Sequence, residues 1–327
     1  MEQLVARILD FYGVECVSIG AAQKGYRNSS FPIKLKNGTH CNVIIYKNES
    51  GIVRRIKAAQ AISERASKNG LPVRLQIDPR ILTLSSSKSQ RYAALYNWLP
   101  GATIPWEAYT MEHIKVLGAT LSDLHAAVSD LESLEQFPDV ILECRMLVNE
   151  MSDYFSQAGV QTAMKSKLTL DLDGRTFLYF IELLDKMSRL SGSQPLHMDF
   201  VRGNILFADP TKADHKYMLS GILDFEKAAL GNPVFDVART LAFLLVDCKY
   251  KPINKIKKYF IQSGYNKRGT GLLTPKELRF LEPLVTFFMF YDFYKFLLHN
   301  PYESLYLNEH FTRTRDQLIQ RKILHQV

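Results

Sequence analysis

One stretch of the chain, residues 195–207, carries side chains at a spacing suited to phosphoryl transfer. His197, Asp199 and Asn204 fit the pattern H-x-D-x-x-x-x-N, and Asp224 follows Asn204 by twenty residues, at the end of a short apolar run. Carboxylate and amide oxygens are the hard ligands that Mg²⁺ prefers. A further carboxylate is then available to accept a proton from an attacking hydroxyl group. These are the parts of a phosphoryl-transfer site: a catalytic-loop aspartate, a metal-binding asparagine and a metal-binding aspartate.

These side chains need elements to position them, and the sequence predicts two kinds. Beyond residue 101 helical patterns dominate, and only residues 203–207 and 218–224, which carry Asn204 and Asp224, are strand-like. The first hundred residues are rich in strands, with a hairpin turn at Asn37-Gly38. The predicted N-terminal elements are a helix, a strand meander, a second helix and two strands, over 1–15, 16–47, 51–68, 73–77 and 91–95. The predicted later helices are 107–128, 135–156, 161–190, 232–247, 252–263 and 275–298.

With these motifs in place, the chain resembles the aminoglycoside phosphotransferase and choline kinase-like small-molecule kinases. Glu226 stands where protein kinases have glycine, which favours the small-molecule branch of that fold. The resemblance extends over nearly the whole chain, and its motifs follow the family's order and spacing. The matching segments are Tyr96–Gly101, Leu117–His125, Leu196–Asp199, Leu223–Glu226 and Gly231–Ala238.

The resemblance implies an α+β, two-lobed protein-kinase-like fold. Residues 1–98 would form a small β-rich N-lobe and residues 99–327 a larger, mostly helical C-lobe. It further implies ATP and Mg²⁺ as cofactors, and transfer of the γ-phosphate to a hydroxyl group of a small acceptor that is aminoglycoside-like, choline-like or another metabolite.

The resemblance also assigns roles within the catalytic loop. Asp199 would orient or deprotonate the acceptor hydroxyl, and His197 would brace the loop. Asn204 and Asp224 would hold Mg²⁺ on the nucleotide phosphates. Asp236 would support the loop from the following helix. Arg202 departs from the pattern, since the family usually has a small residue or proline there, and it is a further candidate for contact with the γ-phosphate.

Nucleotide-binding residues are expected in the N-terminal hundred residues. The phosphate-covering hairpin would include Tyr26, Asn28 and Ser29, whose backbone N–H groups face the phosphates. Lys47, in phase with Val43 and Ile45, is the candidate strand lysine for the α- and β-phosphates. Tyr96 and Trp98 would lie at the hinge where the adenine meets backbone groups. Three positions compete to supply the lysine's acidic partner: the slot near Gln60, Glu64 and Glu49.

The acceptor is expected to bind in the C-lobe, between the helices at 135–190 and the aromatic helix around 287–294. Aromatic faces bind cationic ligands, although an aromatic helix of this kind more often belongs to the core. His125 is likewise expected to be a core residue and not a catalytic one. Acidic residues facing this region would favour a cationic amine or aminosugar, and the candidates are Glu143, Glu150, Asp153, Glu182 and Asp292.

Composition limits the class of protein. The chain has 327 residues, 41 Lys and Arg against 33 Asp and Glu, a net charge of +8 and four dispersed cysteines. These values indicate a globular protein without a disulfide framework, and they predict a cytoplasmic location. No apolar stretch is long enough to span a bilayer, so no membrane partner is expected. The basic run from Lys249 to Arg268 lacks groove-reading motifs, so it predicts a solvated surface and no nucleic-acid partner.

Two rival interpretations follow from departures in the pattern. The single glycine of the phosphate hairpin and the unassigned partner of Lys47 are also compatible with a kinase-like pseudoenzyme that binds nucleotide with little transfer. A protein kinase is disfavoured because only eleven residues separate Asp224 from Asp236, too few for an activation segment. The sequence says nothing about the oligomeric state.

Overall fold

The structure is a computed structural model that describes residues 1–24, 28–85, 90–132, 134–209, 211, 217–248, 250–268 and 273–327. Its contacts divide the chain into two compact units. Unit 1 comprises Met1–Thr103 and Gly203–Ala228, and unit 2 comprises Ile104–Arg202 and Ala229–Val327.

An antiparallel sheet forms the centre of unit 1. Its strand order is β1-β3-β4-β6-β5, and the short β2 pairs with β3. The strands are β1 Cys16–Ile19, β2 Gln23–Lys24, β3 Asn28–Leu35, β4 His40–Lys47, β5 Leu82–Ser85 and β6 Gln90–Asn97. The helices of this unit are α1 Glu2–Tyr12 and α2 Ile52–Lys68.

The two faces of this sheet bury different helices. Successive side chains of a strand point to opposite faces, so Val43 and Ile45 of β4 pack with α1, whereas Ile44 and Tyr46 pack with Ile52 and its neighbours in α2. Tyr96 of β6 lies in the α2-side cluster. The side chain of Tyr46 therefore projects from the sheet on the side of α2.

Segment 203–228 packs with the N-terminal residues, although the expected lobe boundary at 98 places it with the helical region. Its two strands, β9 Ile205–Phe207 and β10 Leu219–Ile222, form an antiparallel pair. Backbone bridges connect this pair to the N-terminal part of unit 1, with Val73 opposite Ile222 and Ala102 opposite Phe207. The segment 73–77, predicted as a strand, contributes only isolated bridges of this kind.

Unit 2 is mostly helical. Its helices are α3 Met111–Val128, α4 Val140–Phe155, α5 Ala158–Leu168, α6 Thr176–Met187, α7 Val234–Asp247, α8 Ile253–Lys257, α9 Pro275–His299 and α10 Glu309–Gln320. A π-helical turn, Lys258–Gly264, continues α8. Two small antiparallel pairs complete the unit: β7 Leu170–Leu172 with β12 Leu324–Gln326, and β8 Gln194–Leu196 with β11 Ala229–Gly231.

The prediction of one helix over 161–190 is wrong. Helix α5 ends at Leu168, because the next residue, Thr169, adopts a left-handed conformation with φ 52°, and residues 170–172 pair with the C-terminal strand β12. Asp173 then accepts a hydrogen bond from the backbone of Arg175 just before α6 begins. The partner strand lies about 150 residues along the chain, so local periodicity could not reveal this interruption.

The start of α9 agrees with its sequence signal. Thr274 accepts a hydrogen bond from the backbone of Glu277, the Glu277 side chain accepts one from the backbone of Thr274, and Pro275 occupies the first helical position. This reciprocal capping box satisfies backbone groups that a helix start otherwise leaves unpaired. Phe287, Phe290 and Phe293 of α9 are fully buried, so this helix belongs to the core, as expected. Among the described residues, no helix is both long and apolar enough to cross a membrane.

Close backbone packing between α3 and the π-helical turn depends on Gly118. A Cβ atom at this position would collide with the carbonyl oxygen of Phe260 and lie 2.9 Å from the backbone nitrogen of Tyr265. Neither neighbour is a flexible side-chain end, so the two segments would have to separate.

We expect Gly118→Ala to lower the free energy of unfolding by about 2 kcal/mol or more, because overpacking displaces backbone. The matched control is Gly159→Ala in α5, where a Cβ meets nothing within 4 Å. That control should leave stability unchanged or raise it by up to about 1 kcal/mol, since alanine favours helix. Urea unfolding of both variants measures the difference, and equal stabilities would contradict the packing argument.

Candidate active site

Asp236 fixes the backbone of the predicted catalytic loop in unit 2. Its Oδ2 atom accepts a hydrogen bond from the backbone N–H of His197 at 2.7 Å, and its Oδ1 atom accepts one from Met198, also at 2.7 Å. Met198 adopts a left-handed conformation with φ 59°. One carboxylate at the start of α7 therefore holds two successive backbone groups of the loop, as predicted for Asp236.

A buried hydrogen-bond chain continues from the other side of Asp236. Nε2 of His125 donates to Asp236 Oδ2 at 3.0 Å, and Nδ1 of His125 meets the Tyr265 hydroxyl at 2.6 Å. His125 is 1 % exposed, which confirms that it is a core histidine. We call His125, His197, Asp199, Asp236 and Tyr265 the catalytic-loop cluster.

The charge of Asp236 is stabilised by these contacts. Burial by itself would raise the pKa of this carboxyl group, but the hydrogen bond and charge of His125, together with His197, hold the pKa below its ordinary value. Fully buried carboxylates persist as anions only when such partners compensate for lost water.

The loop also arranges His197 and Asp199. Nδ1 of His197 accepts a hydrogen bond from the backbone N–H of Asp199 at 3.1 Å, so the buried histidine braces the aspartate's backbone. The next residue, Phe200, is fully buried, and its carbonyl oxygen accepts a hydrogen bond from Thr240. Hydrogen bonds therefore fix the backbone at Asp199 and at the residue that follows it.

Two arginines of unit 2 are paired with carboxylates. Arg239 donates to both oxygens of Asp292, at 2.8 and 3.0 Å. Burial by itself would lower the pKa of Arg239, but the charges of Asp292 and Asp199 raise it above the ordinary value, so Asp199 is within its electrostatic reach. Nε of Arg202 lies 3.5 Å from a carboxylate oxygen of Asp247 and makes no hydrogen bond within the described residues.

The candidate metal ligands of unit 1 flank one end of the β9–β10 pair. Ile205 stands opposite Ile222, and the backbone N–H of Leu223 donates to the carbonyl oxygen of Asn204 at 2.8 Å. This register places Asn204, just before β9, beside the residues that follow β10. Asp224, in a left-handed conformation with φ 60°, begins the 3₁₀ turn Phe225–Lys227.

Beyond Asp224, unit 1 buries polar groups that the sequence reasoning missed. Glu226 Oε1 accepts hydrogen bonds from the Tyr46 hydroxyl at 2.6 Å and from the Arg74 guanidinium at 2.8 Å. The Tyr46 and Tyr96 hydroxyls are 2.6 Å apart. Because the single Tyr46 hydrogen is engaged with Glu226, Tyr96 donates to Tyr46. We call Tyr46, Arg74, Tyr96, Asp224 and Glu226 the carboxylate cluster.

The pKa values of the two carboxyl groups of this cluster, Asp224 and Glu226, are shifted in opposite directions. Burial and the neighbouring charge of Glu226 raise the pKa of Asp224 to about 7. For Glu226, burial by itself would raise the pKa, but Arg74 lowers it below the ordinary value. Two carboxylates this close resist sharing full negative charge, and a cation placed between them would relieve that repulsion.

The oxygen atoms of this region fit a hard divalent cation. Asn204 and Asp224 offer amide and carboxylate oxygens, and Oε2 of Glu226 is buried without a hydrogen-bond donor among the described residues. Mg²⁺ binds such oxygens and completes its octahedron with water and phosphate. Within the described residues, however, no group of three or more His, Cys, Asp or Glu side chains could hold a metal alone.

The remaining predicted nucleotide-binding residues occupy one sheet. Asn28 and Ser29 begin β3 and stand opposite Tyr46 and Ile45, so the exposed Lys47 at the end of β4 lies at the same end of the sheet. The predicted residue Tyr26 lies outside the described residues.

At the predicted hinge, Tyr96 is buried, with its ring 4.9 Å from the Arg74 guanidinium carbon. Trp98, 42 % exposed, follows β6. Two of the positions considered for the acidic partner of Lys47 lie on α2. There Gln60 donates a hydrogen bond to Glu64, which is exposed.

The chain is similar to known phosphotransferases both in sequence and in fold. A family model for APH, the phosphotransferase enzyme family, matches residues 22–247, well over half of the chain. The chain belongs to this family. Its members are small-molecule kinases, so the predicted enzyme class is confirmed. A search of curated proteins finds no match.

Solved structures confirm the predicted α+β protein-kinase-like fold. An amicoumacin kinase in complex with AMP-PNP and Ca²⁺ has a TM-score of 0.69 at 13% identity, with 98% of this chain and 94% of that chain covered. A microcompartment-associated aminopropanol kinase has a TM-score of 0.67 at 12% identity, with 99% and 100% covered. A GDP complex of an aminoglycoside 2'-phosphotransferase has a TM-score of 0.61 at 14% identity, with 96% and 98% covered.

Asp236→Asn tests the anchoring of the catalytic loop. We expect a loss of about 3 kcal/mol in the free energy of unfolding near neutral pH, because the variant loses a buried anion that accepts three hydrogen bonds. The folded-state pKa of Asp236 is lowered, so its contribution to stability is complete above the ordinary aspartate pKa of about 4. That contribution disappears as the pH falls through the lowered folded-state value.

Unfolding measured from pH 7 downward should therefore show the wild-type and variant curves converging in acid. The control is Asp316→Asn, whose carboxylate is exposed and paired with the adjacent Arg315. It should change stability by less than about 0.5 kcal/mol. A gap that stays constant with pH would contradict the assignment to Asp236.

Proposed function

We propose that this protein transfers the γ-phosphate of ATP to a hydroxyl group of a small, amine-bearing acceptor. The observation that carries the proposal is the H-x-D-x-x-x-x-N loop anchored by Asp236, with Asn204 and Asp224 flanking one strand pair. Membership of the phosphotransferase family supports the reaction class.

Asp199 is the proposed proton acceptor for the acceptor hydroxyl. His197 holds its backbone, and Asp236 holds that of His197, so the carboxylate is positioned before substrate arrives. Such preorganisation is a large part of catalysis in phosphoryl transfer, where the protein does little covalent chemistry. The acceptor proton moves to a carboxylate oxygen of Asp199 as the acceptor oxygen forms its bond to phosphorus and the bond to the ADP oxygen breaks.

Asn204 and Asp224 are the proposed holders of Mg²⁺. When bound, the ion would neutralise charge on the nucleotide phosphates. Lys47, the backbone of Asn28 and Ser29, and the Arg202 guanidinium remain the candidates for direct phosphate contact. The Nε atom of Arg202 is 3.5 Å from a carboxylate oxygen of Asp247, and its guanidinium donates to the carbonyl oxygen of Ile104, so a phosphate contact would compete with these two partners.

An amine in the acceptor is favoured by the relatives and by exposed acid groups. Two similar structures are named for aminopropanol and aminoglycoside phosphorylation. In unit 2, Glu150 and Asp153 are exposed on α4, and the charge of Glu150 adds to the burial that raises the pKa of Tyr294 on α9. An acidic group beside an aromatic ring is a suitable environment for an ammonium group. Asp292, by contrast, is neutralised by Arg239.

Asp199→Asn should abolish transfer without abolishing nucleotide binding. We expect kcat to fall by at least about 100-fold, because the amide cannot accept the hydroxyl proton. The first experiment is a screen of ATP and GTP consumption against aminoalcohols, aminoglycosides, choline, sugars, homoserine and nucleosides, followed by kinetics of the variant on the best acceptor. Full activity of Asp199→Asn would contradict the mechanism, and nucleotide binding by the wild type without any transfer would favour the pseudoenzyme.

Asp224→Asn and Asn204→Ala should act through the metal. For each we expect the Mg²⁺ concentration that gives half-maximal activity to rise by about tenfold or more, because each removes one oxygen ligand or its charge. Asp316→Asn again serves as the control and should leave this concentration unchanged. An unaltered Mg²⁺ dependence in both variants would refute the assignment of these two residues.

A further inference from the structure

Protein kinases need a buried pair of opposite charges beside the metal-binding aspartate. In those enzymes a strand lysine pairs with a helix glutamate, and both this pair and the metal-binding aspartate must be in place. In this chain the face of β4 that packs against α2 carries Ile44 and Tyr46, and neither side chain is a cation. Lys47 is exposed at the strand end.

The structure supplies a buried ion pair from elsewhere in unit 1. Arg74 lies in the connection between α2 and β5, and its Nη2 atom is 2.8 Å from Glu226 Oε1. The two side chains are only 12 % and 9 % exposed. The pair is therefore sheltered from the solvent that makes surface ion pairs weak.

Tyr96 and Tyr46 hold the two members of this ion pair in place. The Arg74 guanidinium carbon stacks 4.9 Å from the centre of the Tyr96 ring. The Tyr46 hydroxyl donates to the same Glu226 oxygen, and Tyr96 donates to Tyr46. A planar guanidinium that both stacks and pairs is a specific arrangement that lysine reproduces poorly.

Backbone contacts connect this pair to the metal-binding segment. The backbone N–H of Arg74 donates to the carbonyl oxygen of Ile222 at 2.9 Å, at the end of β10 and two residues before Asp224. Arg74 thus holds both the strand that leads into Asp224 and the carboxylate that follows it. The second oxygen of Glu226 remains buried without a donor among the described residues.

We propose that Arg74 is a positioning residue for metal-bound nucleotide, which acts through Glu226 to hold the Asp224 segment. The proposal rests on the proposed function and adds to it a residue outside the family motifs. Arg74 would do in this chain what the strand lysine and helix glutamate do together elsewhere. It is not a catalytic residue, because it acts through Glu226.

The test is the affinity for AMP-PNP with and without Mg²⁺, measured by calorimetry. In Arg74→Met, we expect the gain in affinity that Mg²⁺ provides to fall by about tenfold or more, as for other residues that orient metal ligands. Affinity in EDTA should stay within about twofold of wild type, because Arg74 does not contact the nucleotide in this proposal. Arg74→Lys should recover part of the Mg²⁺-dependent gain.

The matched control is Arg80→Met. Arg80 lies in the same connection and is also ion-paired, with Asp78 at 2.7 Å, but its guanidinium stacks on Phe11 and Tyr12 of α1. This variant should keep the wild-type Mg²⁺-dependent gain within about twofold. Circular dichroism and thermal unfolding would establish that each variant is folded.

A double-mutant cycle with Glu226→Gln separates the proposed route from others. If Arg74 acts only through Glu226, the double variant should lose no more than Glu226→Gln alone, so the two effects should not add. This comparison also applies if Arg74→Met fails to fold, because the double variant leaves no unpaired buried charge.

Specific results would overturn the inference. They are a folded Arg74→Met variant with the wild-type Mg²⁺-dependent gain, an equal loss of affinity in EDTA, or a further loss in the double variant. Failure of the proposed function looks different, because wild-type protein would then either bind no Mg²⁺-AMP-PNP or bind it and transfer no phosphate from Mg²⁺-ATP to any acceptor of the screen.

Discussion

The candidate active site depends first on a single buried carboxylate. Asp236 is fully buried, and its two oxygens receive the backbone N–H groups of His197 and Met198 together with the His125 side chain. An anion in such a place is tolerated because these three donors compensate for the water that it has lost. The same donors set the path of the catalytic loop, including the left-handed Met198. Satisfying one charge therefore also positions Asp199.

Each unit of the protein contains a polar cluster that is organised by its own elements. In unit 2, α3 and α7 supply the side chains that hold the catalytic loop. In unit 1, Glu226 draws together a strand tyrosine and an arginine from an irregular connection. Both clusters have a buried carboxylate at the centre and donors around it. This shared design follows from a general cost, since buried polar groups must be satisfied or they destabilise the fold.

Much of the fold and of the candidate active site could be predicted from the sequence, and the features that could not be predicted have physical reasons. The loop around Asp199, the proposed metal ligands Asn204 and Asp224, and the start of α9 depend on local patterns, and the motifs identified the family. The interruption of the helix at Thr169 depends on a strand from the C-terminus, which no local window contains. Arg74 was missed because it occupies a polar position of the alternating pattern predicted as a strand over 73–77, and such a position predicts a side chain that faces solvent. Its partner, Glu226, was visible only as a family motif residue.

The long separation within the carboxylate cluster affects how the chain must be made. Arg74 and Glu226 are 152 residues apart, and Tyr46 and Glu226 are 180 apart. Chains emerge from the ribosome N-terminus first, and domains generally fold as units. The six-stranded sheet of unit 1 can form early. The contacts of Arg74 and Tyr46 with Glu226 form only later, after residues 104–202 of unit 2 have been synthesised. Until Glu226 is synthesised, the Arg74 guanidinium lacks its ion-pair partner, so completion of unit 1 is a late event in biogenesis.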